Sequence, residues 1–144
     1  MLERRKVEIL KNIKVAAAIM VREKNGKKEI LATERGYGDF KGEWEFPGGK
    51  LEKGESSKEA LIREIKEELN SEIEIKEFFQ TVDYTYPTFH LSMDCFIAEL
   101  KSDFKLSVHN NYRWLDSENI RSVNWLPADI EIIDKLEKYL KTKR

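Results

Sequence analysis

The stretch from Gly49 to Glu68 holds the residues whose types and spacing suit chemistry. It reads Gly49, five residues, Glu55, seven residues, Arg63-Glu64, two residues, Glu67-Glu68. On a helix, Glu64, Glu67 and Glu68 stand at i, i+3 and i+4 and share one face. That face spans roughly 100° of arc, beside the apolar stripe of Leu61 and Ile65. Three carboxylates at the margin of a buried face repel one another, and all-oxygen donors suit Mg²⁺ or Mn²⁺. Taken alone, Lys66-Glu67-Glu68-Leu69 is also what a solvated helix face looks like. The upstream spacing weighs against that plain reading. The six specified positions, at average usages of about 5–8%, coincide by chance about once in 10⁷ start points.

The elements that must position these residues are readable from periodicity. Leu61, Ile65 and Leu69 recur every fourth residue, so Ser56 to Leu69 reads as a helix with Ser56 or Ser57 as N-cap. Ile13 to Arg22 reads as a strand, with Val15, Ala17, Ile19 and Val21 on one face. Asn25-Gly26 is a hairpin turn, and Ile30 to Arg35 is the return strand. Gly36 to Gly42 is a loop, Trp44 to Phe46 a short strand, and Pro47-Gly48-Gly49 ends it. Ile73 to Tyr84 and Phe89 to Leu100 read as strands. In the second, Phe89, Leu91, Met93, Cys95 and Ile97 alternate with mostly polar residues, the mark of a half-buried strand. Cys95 therefore reads as a core thiol rather than a nucleophile. Arg113 to Leu115 is a further short strand, and Ala128 to Leu140 a final helix with Ile132, Ile133, Leu136 and Leu140 inward. Mixed strands with helices predict an α/β sandwich.

Composition narrows the class. The chain has 144 residues, the size of a single domain spanning residues 1–144. Its 26 basic and 27 acidic residues leave a formal charge of -1, which argues against a protein that coats nucleic acid or anionic membrane. One cysteine excludes an intramolecular disulfide and a cysteine-rich zinc site. The longest apolar stretch near the start, Val15 to Val21, is far short of the ~20 residues that span a bilayer. The charged N-terminus shows no leader pattern, so a cytoplasmic protein is expected. Exposed sheet edges are compatible with a monomer or a homodimer.

The Gly49…Glu55…Arg63-Glu64…Glu67-Glu68 pattern resembles the Nudix box of the Nudix hydrolases. Trp44-Glu45-Phe46-Pro47-Gly48-Gly49-Lys50 and the late Leu126-Pro127-Ala128-Asp129 extend the similarity to the MutT-like nucleoside triphosphate pyrophosphohydrolases. The resemblance implies an α/β/α sandwich with a mixed β-sheet between helices. It implies Mg²⁺, with Mn²⁺ as a substitute, and a small nucleotide as substrate rather than a nucleic-acid polymer. It casts Glu64, Glu67 and Glu68 as metal ligands, with the Gly48 carbonyl completing the shell. Glu55 and Arg63 resemble the ion pair that ties loop to helix. Lys50 resembles a lysine that reaches the phosphates, and Arg35 an arginine that meets the nucleotide from the neighbouring strand. Asp129 resembles the residue that meets the base edge, with Tyr86, before Pro87, opposite it.

Two departures stand out. The box normally ends with glycine and an aliphatic residue, and here those positions are Asn70 and Ser71. Asn is the best substitute for Gly at a left-handed cap, and Ile73 is placed to take the last hydrophobic contact. Many relatives also carry one more metal-binding glutamate in the loop before the Arg-Trp strand. Here Ser107 to Asn111 contains no acid, leaving the number of metals open and His109 as a substitute or an ordinary loop residue.

The implied reaction is attack of water on a phosphorus of a nucleoside triphosphate, releasing a monophosphate and pyrophosphate. Glu64 is the first candidate for the base and Glu67 its rival. Glu67→Gln is expected to fold but lose most turnover. An ionised Asp129 only accepts hydrogen bonds, which would favour a base with amino donors, cytosine or an oxidised guanine. Asp129 as a helix-start acid and Tyr86 as an ordinary strand-end aromatic are the plain alternatives. Trp44, Trp114 and Trp125 read as core. Hydrolysis of ADP-ribose or a dinucleoside polyphosphate, and a non-catalytic nucleotide sensor, are the rival functions.

Overall fold

The structure, a computed structural model, describes residues 10–36, 38–102 and 109–142, without the side chains of His109 and Asn110. The acid-free segment Ser107-Val108 and the His109 side chain therefore lie outside the described residues. Among the described residues, seven strands form one mixed sheet. β1 (Lys11–Lys24) turns at Asn25-Gly26 into β2 (Lys27–Arg35). Both turn residues have positive φ, 54° and 79°, as the tight hairpin demands. β3 (Trp44–Glu45) pairs with β2, and β4 (Gly48–Lys50) pairs antiparallel with β1. β5 (Ile73–Thr85) and β6 (Phe89–Leu100) form a long antiparallel pair, and β6 runs parallel to β1. β7 (His109–Leu115) closes on β2. The main path is β3-β2-β1-β6-β5.

β1 is buried on both faces, and this makes the sandwich. Ala16, Ala18 and Met20 pack with Leu61, Ile65 and Leu69 of α1 (Ser57–Leu69) on one side. Ala17 and Ile19 pack with Ile133, Leu136 and Leu140 on the other. The expected single apolar face on β1 is thus one of two, because small alanines let a helix approach on the second side. Truncating Leu61 or Ile65, both fully buried, would cost about 2–5 kcal/mol.

α1 is held at both ends. The Ser56 hydroxyl accepts from the Glu59 amide (3.1 Å) and the Glu59 carboxylate accepts from the Ser56 amide (2.9 Å), a capping box. Asn70 sits in the left-handed region at φ 51°, the stop that glycine usually supplies. Ser71 is buried with its hydroxyl donating to the Leu69 carbonyl (3.1 Å), and Ile73 takes the apolar contact next to it. Ser57 Oγ and Thr81 Oγ1 both donate to Asp94, tying the first turn of α1 to β5 and β6.

Three expectations need correction. The final helix is two, α2 (Pro127–Ile130) and α3 (Ile133–Leu140), broken at Ile132 (φ -105°, ψ 0°). The break still sends Ile132 and Ile133 into the core. The strand at Arg113 to Leu115 starts earlier, at His109, because β2 offers a long antiparallel partner. β4 falls on Gly48-Gly49, where side-chain periodicity carries no signal. Among the described residues no helix is long and apolar enough to cross a membrane. Cys95 is fully buried, and burial pushes its thiol pKa well up, which makes it inert.

Candidate active site

A cleft of about 540 Å³ opens between α1, β4 and the start of α2. One end is built by the box. Arg63 grips Glu55 with two parallel bonds, Nε to Oε2 at 2.7 Å and Nη2 to Oε1 at 2.9 Å. Its Nη2 also donates to the Lys50 carbonyl (2.9 Å), while Nη1 donates to Glu64 (3.0 Å) and Glu67 (3.2 Å). One guanidinium thereby fixes the 50–55 loop and two helix carboxylates together. The Arg63 bonds, with the Glu52 amide, lower the Glu55 pKa to about 2. The same partners push Arg63 further up.

The glycine pair lets the backbone approach. A Cβ on Gly48 would lie 2.0 Å from the Ala16 carbonyl oxygen. A Cβ on Gly49 would lie 2.3 Å from the Glu64 carboxyl carbon. Only glycine at 49 leaves the Glu64 carboxylate its place beside the loop.

The three box glutamates do not converge equally. Glu64 and Glu68 line the cleft with Gly48 and Gly49, whereas Glu67 points out, 58% exposed, onto Arg63. Among the described residues no three acidic, histidine or cysteine side chains close on one point. Arg63 takes up two of the three, Glu64 and Glu67. Of the carboxylates that do face the cleft, Glu68 is electrostatically disfavoured. Burial, then the nearby charges of Glu64 and Glu45, raise the Glu68 pKa to about 8. A half-buried, all-oxygen pair that lines the cleft with Gly48 and Gly49 is a donor set that fits a hard divalent cation.

Glu45 was not among the residues the sequence pointed to. It lines the same cleft and pairs with Arg35, Nη1 to Oε1 at 3.0 Å. The only signal available was alternation: Trp44 and Phe46 face the core, so the residue between them faces the other way.

The far end is apolar and aromatic. Tyr86 is buried, stacks on Phe89 (4.8 Å, 22°) and lies 5.4 Å from Phe40. Its hydroxyl accepts from the Ala128 amide (3.1 Å), the N-terminal turn of α2. Asp129, 4% exposed, accepts from the Phe46 amide (2.9 Å) and so joins α2 to the β3–β4 link. Burial raises its pKa to about 8. Burial thus favours the neutral form over the ionised, accept-only one, and a carboxyl that keeps its proton donates as well as accepts. Lys50 and Arg35 line the cleft between the ends. Trp44 and Trp125 belong to the core, and Trp114 lies under the Arg22 guanidinium at 4.1 Å.

A larger, shallower depression of about 730 Å³ lies by the β1–β2 hairpin. Its Arg22 is bonded to Glu29 (2.8 Å), its Lys27 faces Asp116 and Glu118, and no carboxylate cluster or glycine loop reaches it.

Comparison with known proteins shows the family. The NUDIX domain family model matches residues 12–140. The chain is 30% identical over 126 residues to the CTP pyrophosphohydrolase of Escherichia coli (strain K12), covering 87% of this chain and 91% of that one. It is 31% identical over 113 residues to the 8-oxo-dGTP diphosphatase of Buchnera aphidicola subsp. Acyrthosiphon pisum, covering 78% and 90%. Among solved structures, the MutT protein from Methanosarcina mazei Go1 superposes with a TM-score of 0.79 at 26% identity, covering 94% of this chain and 100% of that one. With the box helix, its glycine loop and the sandwich around them all in place, the chain belongs to the Nudix hydrolases, on the MutT-like branch that cleaves phosphoanhydride bonds.

Proposed function

We propose that the protein hydrolyses a nucleoside or deoxynucleoside triphosphate to the monophosphate and pyrophosphate, with Mg²⁺ (or Mn²⁺) as cofactor. The observation that carries this reading is one continuous cleft. It has carboxylates and a glycine loop at one end, Lys50 and Arg35 between, and an aromatic wall with a hydrogen-bonding carboxyl at the other. Triphosphate and base are the two chemistries those ends suit.

Glu64, Glu68 and the Gly48 carbonyl would hold the metal, with Glu67 reached by a small movement away from Arg63. The metal, when bound, neutralises phosphate charge and lowers the pKa of water. Lys50 and Arg35 bind phosphate oxygens and orient the chain of phosphates. In the hydrolysis, a water oxygen bonds to one of the two phosphorus atoms flanking the α–β bridge, the bridging P–O bond to that atom breaks, and the monophosphate and pyrophosphate separate. Glu64 takes the water's proton, as the cleft-facing box carboxylate fixed by Arg63. Glu67 is the weaker candidate because it faces away from the cleft.

A protonated Asp129 matches a base edge that offers a donor beside an acceptor, a pattern that adenine, uracil and the N1–H/O6 edge of guanine share, so it admits the following two bases without selecting them. Cytosine presents N4–H beside N3. A guanine oxidised at C8 presents N7–H beside O6, whereas ordinary guanine presents two acceptors there. The names of the two curated relatives, one acting on CTP and one on 8-oxo-dGTP, point to the same two bases.

The test is product analysis with Mg²⁺ across the common nucleoside triphosphates, their deoxy forms, 8-oxo-dGTP, 5-methyl-dCTP, ADP-ribose and a dinucleoside polyphosphate. Pyrophosphate and a monophosphate from a cytosine or oxidised guanine nucleotide is the expected result. Cleavage of ADP-ribose or the dinucleotide alone would discard the base argument. Tight binding with no turnover would make the protein a sensor.

A further inference from the structure

Arg35 has a partner whose place suggests more than a surface ion pair. Thr33 and Glu45 are directly opposed on β2 and β3, so Arg35 and Glu45 are diagonal neighbours on one face. The guanidinium is held twice, Nη1 to Glu45 Oε1 at 3.0 Å and Nε to the Asp39 carbonyl at 2.8 Å. Glu45 is only 17% exposed in its side chain, while Arg35 keeps 35%. Both residues line the cleft that Glu68 and Asp129 also line. The pair therefore stands in the cleft wall within reach of both ends.

We propose that Glu45 is a positioning residue: it fixes the Arg35 guanidinium in the cleft wall and thereby sets how tightly the phosphate-bearing part of a nucleotide is gripped. A long arginine loses much rotamer freedom on binding an anion. Anchoring through Glu45 and the Asp39 carbonyl removes that freedom before substrate arrives, the ordinary gain from preorganisation. Glu45 acts through Arg35, whose Nη1 donates to its Oε1, rather than through the metal. The inference rests on Arg35 being a substrate contact.

The experiment is a double-mutant cycle with Arg35→Ala, Glu45→Ala and both, plus Glu45→Gln. KM and kcat are measured on the best triphosphate, and Kd on a non-hydrolysable triphosphate analogue. Glu45→Ala is expected to raise KM and Kd by about tenfold, the size of a 1.4 kcal/mol coupling, and to change kcat little. Glu45→Gln should restore most of the affinity, because the amide oxygen still accepts from Nη1. In the Arg35→Ala background, removing Glu45 should add nothing. Equal losses in both backgrounds, or a raised Mg²⁺ midpoint with unchanged nucleotide affinity, would overturn the proposal. If Arg35→Ala alone leaves KM and Kd unchanged, the reading of Arg35 as a substrate contact fails instead.

Discussion

The two ends of the cleft treat a carboxyl group in opposite ways. At the box end, Glu55 lies near the surface under a bidentate arginine, and its pKa falls to about 2. At the aromatic end, Asp129 is buried with one backbone amide for company, and its pKa rises to about 8. The first is a permanent charge that organises other charges. The second is a neutral group suited to reading a donor–acceptor edge. Glu68 lies between these cases, inside the cleft and beside Glu64, and is raised like Asp129 although it belongs to the box. The difference shows that burial and partner decide what a carboxyl does more than residue type.

The largest test of the contrast is removal of charge at the box end. Glu64→Gln should fold and melt like the parent but lose about 10²–10⁴-fold in kcat. Glu67→Gln should also lose most turnover, by a smaller factor. Unchanged kcat for the latter at saturating Mg²⁺ would remove Glu67 from the mechanism.

Next come the two glycines, which look alike in sequence. Gly48→Ala drives a Cβ into backbone and should lower stability by about 1–3 kcal/mol, read as a drop in melting temperature. Gly49→Ala meets a flexible side-chain end and should cost less stability. It should still depress turnover, because it displaces the Glu64 carboxylate. Equal melting temperatures for the two would contradict these contacts.

Asp129→Asn sharpens the other end. It should reorder the preference among bases more than it slows the best one, seen by competing nucleotides in one assay. It also removes a titration. Because the folded pKa of Asp129 lies above its ordinary value of 3.8, its contribution to stability is complete below about pH 4 and is lost as pH rises toward 8. Thermal unfolding of the asparagine variant should be flatter over that window than that of the parent.

The smallest expected effect is the mirror image. The folded pKa of Glu55 is depressed, so its contribution is present above the ordinary 4.5 and lost as pH falls toward 2. Glu55→Gln should flatten only this acid limb of the melting curve.

Much of the box end was legible because its signals are local. The fourfold spacing of Leu61, Ile65 and Leu69, the Ser56 cap and the Glu64/Glu67/Glu68 face all lie within one helix, where sequence spacing fixes direction. The Asn25-Gly26 turn was legible for the same reason. The alternation of β6 gave its buried side, and Met93, Cys95 and Ile97 are buried. The base end was legible only as positions. Tyr86 and Asp129 are 43 residues apart, and the Tyr86 hydroxyl meets the Ala128 amide only through long-range packing.

The sequence by itself determined the chemistry on offer: the box spacing, the carboxylate face on α1, the glycine loop and the arginine next to Glu64. These follow from bond geometry over a few turns of chain. Tertiary structure decided which of those groups face the cleft, and in what charge state. It turned Glu67 outward, set Glu45 against Arg35 across two strands, and buried Asp129 deeply enough to keep its proton. Desolvation and the distance to the nearest opposite charge are properties of the packed molecule, and no spacing along the chain contains them.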